Sequence, residues 1–412
     1  MPPHLQTPIT LGIFGLTLAG VLTRPRGISE AWFASGGAAL LLLIGTVTPQ
    51  EAWQVTRESG DVLLFLLFLM ALSALVDTSG FFDWAATLTA RGAKGNPRRL
   101  LVGLFLLGAI ITTCLSLDTT ALLLTPLVWA VVSRAKLPPR PYALSAGFVA
   151  NIASSALPVA NLTNLLAMSR LGVTTGRYAL IMTLPTVAAS LVTLGILLWR
   201  FRAELPPAFD ETAFPDPLDA VPHLPYFRVT LGVLGLTLAG YFIGPGLFHV
   251  PLWVVAATGT VVLLLAGKLL GRVSVRTIAL RGVAWSVFPF VIGMFVALRA
   301  VEDVGLSRWL GQGLAAASGQ SLGQGLFVTA FGTAIGANLI NNIPMLVLSL
   351  NALGDGANRS LLYAAVLGCN LGPNITIVGS LATMLWRSVL QKRGLEISPK
   401  ELAVNGLLVT VP

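Results

Sequence analysis

The decapeptide "LGIFGLTLAG" at residues 11 to 20 returns as "LGVLGLTLAG" at 231 to 240. A match of that length signals an internal duplication, and the rest of the chain follows it with small drifts in offset. "FLLFLMALSALVDTSGFFDW" (65 to 84) pairs with "FVIGMFVALRAVEDVGLSRW" (290 to 309), which aligns Asp77 with Glu302 and Trp84 with Trp309. "LDTTALLLTPL" pairs with "INNIPMLVLSL", and "GFVANIASSALPVANLTNLL" with "VLGCNLGPNITIVGSLATML". Two copies, 1 to 202 and 228 to 412, are joined by a segment at 203 to 227. This acidic segment, rich in proline, reads as an exposed, poorly ordered loop.

Each copy is built for lipid. Hydrophobic residues make up 55% of the chain and charged residues 10%, with mean hydropathy +0.82; a soluble domain carries about 25% charged residues. The net charge of +9 is dispersed in short gaps between apolar runs, with no basic and aromatic patch suited to nucleic acid. The first apolar run has no basic start or small-residue cleavage site, and it recurs later, so it reads as a retained span.

A crossing needs about 20 helical residues. In the first copy the runs 9–23, 30–48, 61–76 and 176–200 each fit one, and 141–169 reads as a span broken around "NIASSALPVAN". The run 100–133, charged only at Asp118, is long for one crossing and short for two, which predicts a re-entrant hairpin turning near Ser116 to Thr119. The second copy gives spans 228–243, 250–267 and 284–301, hairpin 322–354, broken span 361–391 and a short final span 401–412. Its last helix ends at Pro412, where the first copy continues past the equivalent Pro185. The expected fold is an all-α polytopic membrane protein. It has two repeats of five transmembrane helices each, with one re-entrant helical hairpin and one broken helix per repeat. Five crossings is an odd number, so the second repeat is inverted. With that topology, 20 of the 26 Lys and Arg fall on one side, leaving only Arg57, Arg170, Arg177, Arg299, Arg308 and Arg359 on the other. The bias predicts an inner (cytoplasmic) membrane location with the N-terminus outside and the linker in the cytoplasm.

Inverted repeats with interrupted helices are the build of a secondary transporter, whose site lies where unwound backbone faces a cavity. The four breaks are "SLDTT" (116 to 120), "NIASSALPVANLTN" (151 to 164), "NLINNIP" (338 to 344) and "NLGPNITIVGS" (370 to 380). Their amides and hydroxyls can replace water around a solute. The candidate binding residues are therefore Thr119, Thr120, Asn151, Ser154, Ser155, Asn161, Asn338, Asn341, Asn342, Asn370, Asn374, Thr376 and Ser380. The bland reading of any one of them is a helix cap or interhelical glue.

"LDTTALLLTP", "NLINNIP" and "GCNLGPNITIVGSLATMLW" resemble the ArsB-type arsenite and antimonite efflux permeases of the ion-transporter superfamily. The chain departs from the common pattern at Asn370, where many members have Asp, at Asn374, where they have Lys, and at Leu117, where they have Asn. The resemblance implies export of trivalent arsenic and antimony, driven by protons or by a cytoplasmic ATPase subunit. Arsenite near neutral pH is mostly the uncharged trihydroxide, and no Lys, Arg or His falls within the four breaks.

Asp118 is the expected proton-coupling residue, since an acid at membrane depth costs at least about 2.5 kcal/mol; the alternative is a structural acid at a helix N-terminus. Cys114 and Cys369 are weak candidates for contact with trivalent arsenic, with core packing the simpler role. Asp77 and Glu302 end the third spans, ahead of interfacial helices. The rival function is a sodium-coupled anion carrier of the same superfamily. No HExxH motif, nucleophile elbow or Ser with a nearby His supports an enzyme, and no cofactor is expected.

Overall fold

In the computed structural model, residues 3–317, 321–354 and 358–412 are described, and every regular element among them is a helix. Short polar caps set where apolar runs become helices, because a side-chain oxygen can take an N–H that the first turn leaves unpaired. Thr48 and Glu51 close a capping box over Pro49. Asn96 Oδ1 accepts from the N–H groups of Arg98 and Arg99 at 2.9 and 3.1 Å.

The first half contains α1 (Pro3–Thr23), α2 (Glu30–Leu43), α3 (Pro49–Glu58), α4 (Gly60–Thr78), α5 (Phe81–Gly92), α6 (Pro97–Cys114), α7 (Leu117–Arg134), α8 (Pro139–Ala153), α9 (Leu162–Leu171) and α10 (Thr175–Arg200). The second contains α11 (Leu224–Leu247), α12 (Leu252–Leu269), α13 (Val275–Gly282), α14 (Val287–Asp303), α15 (Leu306–Ala317), α16 (Leu322–Ile340), α17 (Asn342–Leu353), α18 (Arg359–Leu371), α19 (Leu381–Lys392) and α20 (Pro399–Thr410). Among the described residues, eight helices are long and apolar enough to cross a membrane. A ninth span results if α13 and α14, bent by 43° at their junction, count as one.

The same packing devices appear in both halves. A Cβ on Gly37 of α2 would collide with Thr17 of α1, and one on Gly259 of α12 with Thr237 of α11. Gly20 likewise faces Phe33, and Gly240 faces Val255. The halves also exchange partners: α2 packs on α14, and α4 on α12. Thr260 on α12 donates to the Phe68 carbonyl on α4 at 2.9 Å. On the opposite side a Cβ at Gly293 of α14 would lie 2.6–2.8 Å from backbone atoms of Ala34 and Ser35.

Several boundaries and the linker differ from the sequence reading. The helix expected over 30–48 stops at Leu43, because Gly45 takes φ +74° and Thr46 folds back with both its N–H and its hydroxyl on the Leu41 carbonyl. The hairpin arms over 100–133 are longer than their apolar core: α6 and α7 have 18 residues each, since α6 starts three residues earlier at the Asn96 cap. The linker is not loose. Leu205 and Phe214 are buried, Phe209 N–H donates to the Gly95 carbonyl at 2.8 Å, and Asp216 meets Arg91 at 3.3 Å. Prolines and acids suggested disorder, but two phenylalanines and a leucine give this segment enough apolar surface to dock.

Gly293→Val places carbon against backbone that cannot rotate away, and is expected to cost about 1–3 kcal/mol. Gly36→Val, on an open face of α2, is expected to change stability by less than about 0.5 kcal/mol. Unfolding of both variants in detergent checks the pair.

Candidate functional site

The first break lies between α6 and α7, where Leu115 and Ser116 leave the helix and Ser116 caps the next one, accepting from Thr119 N–H at 3.1 Å. The Thr119 hydroxyl donates to Ser73 on α4 at 3.0 Å, and the Thr120 and Thr112 hydroxyls pair at 2.7 Å. A π turn at Thr120–Leu124 widens the helix just ahead of Pro126. That proline brings no N–H, and its ring needs room beside the preceding turn.

Asp118 occupies the first turn of α7, half-buried, and among the described residues it makes no ion pair. It lines a cavity of about 320 Å³ together with Ser73, Asp77, Ser116, Thr119 and Arg281. On its other side a cleft with room for about 10 Å³ continues to Asn161 and Leu162 at the second break. Asp118 thus stands between an accessible cavity and the broken helices.

The second and fourth breaks bind each other in a crossed arrangement. From the first half, the Asn151 amide donates to Asn374 Oδ1 at 3.0 Å and to the Thr383 hydroxyl at 3.1 Å, while its own Oδ1 accepts from Ser380 at 3.2 Å. From the second half, Asn370 Oδ1 accepts from Asn161 at 3.0 Å and Thr163 at 2.7 Å, and its amide donates to Asn164 Oδ1 at 2.7 Å. In the repeat alignment Asn151 corresponds to Asn370, Asn161 to Ser380 and Asn164 to Thr383, so the two clusters are counterparts. Asn164 also donates to the freed carbonyls of Ser154 and Leu157 at 2.5 and 2.8 Å, and the Ser154 hydroxyl donates to the Asn151 carbonyl at 2.7 Å.

The third break joins the fourth. Asn338 donates to the Gly372 carbonyl at 2.8 Å and accepts from Thr376 at 2.7 Å. Asn341, which separates α16 from α17, holds φ 77° and ψ 154°, a conformation that glycine tolerates best. Its side chain anchors the bend by donating to the Val378 carbonyl at 3.1 Å and accepting from Ile343 N–H at 3.3 Å.

The structure therefore brings together Asn151, Ser154, Asn161, Asn370, Asn374 and Ser380, with Asn338, Asn341 and Thr376 beside them. Thr119 faces the cavity with Asp118, whereas Thr120 is fully buried against Thr112. Three buried site atoms have no protein partner: Ser155 Oγ, its repeat counterpart Asn374 Nδ2, and Asn342 Oδ1. Cys369 is fully buried in an apolar cluster with Ala337, Met345 and Val366, and Cys114 is half-buried at the end of α6. Sequence reasoning passed over Thr163, Asn164 and Thr383, although the repeat alignment pairs the last two. Nothing local marked Ser73 or Arg281, which reach the site only through packing.

Against this geometry, the family model ArsB, arsenical pump membrane protein, matches residues 9–412. The chain belongs to that family. An arsenical pump membrane protein of Yersinia enterocolitica is 35% identical over 410 residues, covering 97% of this chain and 95% of that one. Its counterpart in Escherichia coli strain K12 is 32% identical over 408 residues, with 97% and 95% covered. The crystal structure of the YdaH transporter of Alcanivorax borkumensis superposes with a TM-score of 0.55, covering 100% of this chain and 95% of that one at 15% identity, a likeness of fold. As an arsenical pump family member with eight span-length helices, the chain is a multi-pass membrane protein.

Removing the amide at the centre of the second-half cluster, in Asn370→Ala, strands the groups of Asn161, Thr163 and Asn164 and is expected to cost about 1–3 kcal/mol. Asn161→Ala combined with it should cost less than the two singles together, because they share one bond. A double-mutant cycle read by unfolding in detergent checks the coupling.

Proposed function

We propose that this protein exports trivalent arsenic and antimony from the cell, as the neutral trihydroxide, in exchange for protons and by alternating access. The observation that carries the reading is Asp118, placed between the 320 Å³ cavity and the crossed amide clusters. Membership of the arsenical pump family supports the substrate class. The partnerless polar atoms of Ser155, Asn342 and Asn374 suit a small solute carrying three hydroxyls.

In this reading the halves are inverted, α6–α7 and α16–α17 are re-entrant hairpins, and the protein sits in the cytoplasmic membrane with its N-terminus outside. A second cavity, of about 440 Å³, is lined from α3, α4, α9, α14 and α17, of which α3, α14 and α17 are the repeat counterparts of α13, α4 and α7 around Asp118. It carries Arg299 and Glu302 and touches none of the residues of the four breaks. The cavity that reaches Asp118 is then the cytoplasmic entrance, and the other is the external vestibule, shut off from the site. Protonation lets Asp118 pass between states without a bare charge. One proton entering down about 100 mV releases about 2.3 kcal/mol, enough for a neutral solute gradient of about 50-fold.

Arg281 in the Asp118 cavity favours a second reading, a sodium-coupled carrier of a small anion.

Arsenite uptake by inside-out vesicles under an imposed pH gradient separates these. Proton exchange predicts accumulation that is independent of sodium and is lost, by at least about tenfold, in Asp118→Asn. Sodium dependence, or normal pH-driven transport by that variant, would sink the proton-carrier role. For the topology, cysteines introduced at Arg98 and Ser133 in a chain lacking Cys114 and Cys369 should both label from the linker side. Labelling from opposite sides would show that α6 and α7 cross fully.

A further inference from the structure

A further cavity lies away from the candidate site, at the edge of the molecule where α5, α6 and α10 meet. It has about 640 Å³ and is lined by Arg98, Arg99, Arg202, Trp199, Val102 and Leu198. Its floor stays open because Gly92 and Gly103 contribute no side chain.

Its charge is uncompensated. Neighbouring basic residues have acids: Arg200 meets Glu204 at 3.9 Å, and Arg91 meets Asp216 of the docked linker at 3.3 Å. Asp210, another linker acid, is hydrogen-bonded to Thr212, which holds its carboxyl below the usual range, with Lys136 nearby adding to the effect. Among the described residues Arg98, Arg99 and Arg202 form no ion pair. Arg202 lies instead over the exposed indole of Trp199, 6.0 Å from the ring centroid. Arg98 and Arg99 also stand in the first turn of α6, where the helix dipole favours an anion.

Two apolar tracks lead away from this basic mouth. Along α6, Val102 is followed at four-residue spacing by Leu106 and Ile110, 49% and 61% exposed. Along α10, Leu198 is preceded at seven-residue spacing by Leu191 and Leu184, 62% and 76% exposed. A soluble anion would use only the arginines. A molecule with a charged head and long chains would use the arginines, the indole and both tracks together.

We propose that this groove is a binding site for an anionic phospholipid, with its phosphodiester held by Arg98, Arg99 and Arg202 and its acyl chains lying along the two tracks. The alternative, that these arginines are only orientation signals, predicts no bound lipid. The full-length protein is reconstituted in phosphatidylcholine containing phosphatidylglycerol, extracted, and its retained lipid is counted by native mass spectrometry. Wild type should retain phosphatidylglycerol, and Arg98→Gln/Arg99→Gln/Arg202→Gln should bind it about a hundredfold more weakly. Lys268→Gln/Arg272→Gln/Arg276→Gln, an equal loss of exposed charge elsewhere, should bind it as wild type does. Gly92→Leu fills a position with nothing within 4 Å, keeps every charge and should also release the lipid. Equal loss in both triple variants, retention by Gly92→Leu, absence of lipid from wild type, or displacement by millimolar inorganic phosphate would each overturn the proposal.

Discussion

Wherever a helix is interrupted inside an apolar protein, its freed N–H and carbonyl groups have no water to turn to and must be met from within. In this chain the freed carbonyls are met within each half, by Asn164 and Asn338, and the polar side chains around them bond across the duplication. Asn151 at the end of one half's helix is satisfied by Ser380 and Thr383, which begin a helix in the other half, and Asn370 is satisfied by Asn161, Thr163 and Asn164 in return. The crossed clusters hold four helix ends around one place, and the rest of the molecule is arranged about them.

The scaffold obeys the same exchange. The pairing of α2 with α14 and of α4 with α12 ties the halves together at a distance from the breaks, using small residues such as Gly293 to let backbones approach. Helices α7 and α17 line the two cavities together with α4 and α14 of this frame. The cavities flank this frame, one reaching Asp118 and one that touches none of the four breaks. The groove at α5, α6 and α10 shares no lining residue with the cavities around Asp118 or with the amide clusters, so its chemistry can be altered without touching them.

Much of this was legible in the residues. The duplicated "GLTLAG" motif, the four polar interruptions and the isolation of Asp118 all follow from local pattern, because an apolar chain makes each polar departure conspicuous. The linker was misjudged because counting prolines and acids ignores where Leu205, Phe209 and Phe214 can dock. The end of α2 was misjudged because hydropathy does not register Gly45 at positive φ.

The sequence by itself determined that the chain is helical, duplicated, bound for lipid and interrupted at four equivalent places, since periodicity and capping act over a few residues. Only the tertiary structure decided which amide answers which, that Asp77 and Arg281 share a cavity with Asp118, and that, among the described residues, three arginines are left without acids while their neighbours are paired. Those outcomes depend on contacts between residues far apart in the chain. Their partners are chosen by the geometry of packing, which no local pattern encodes.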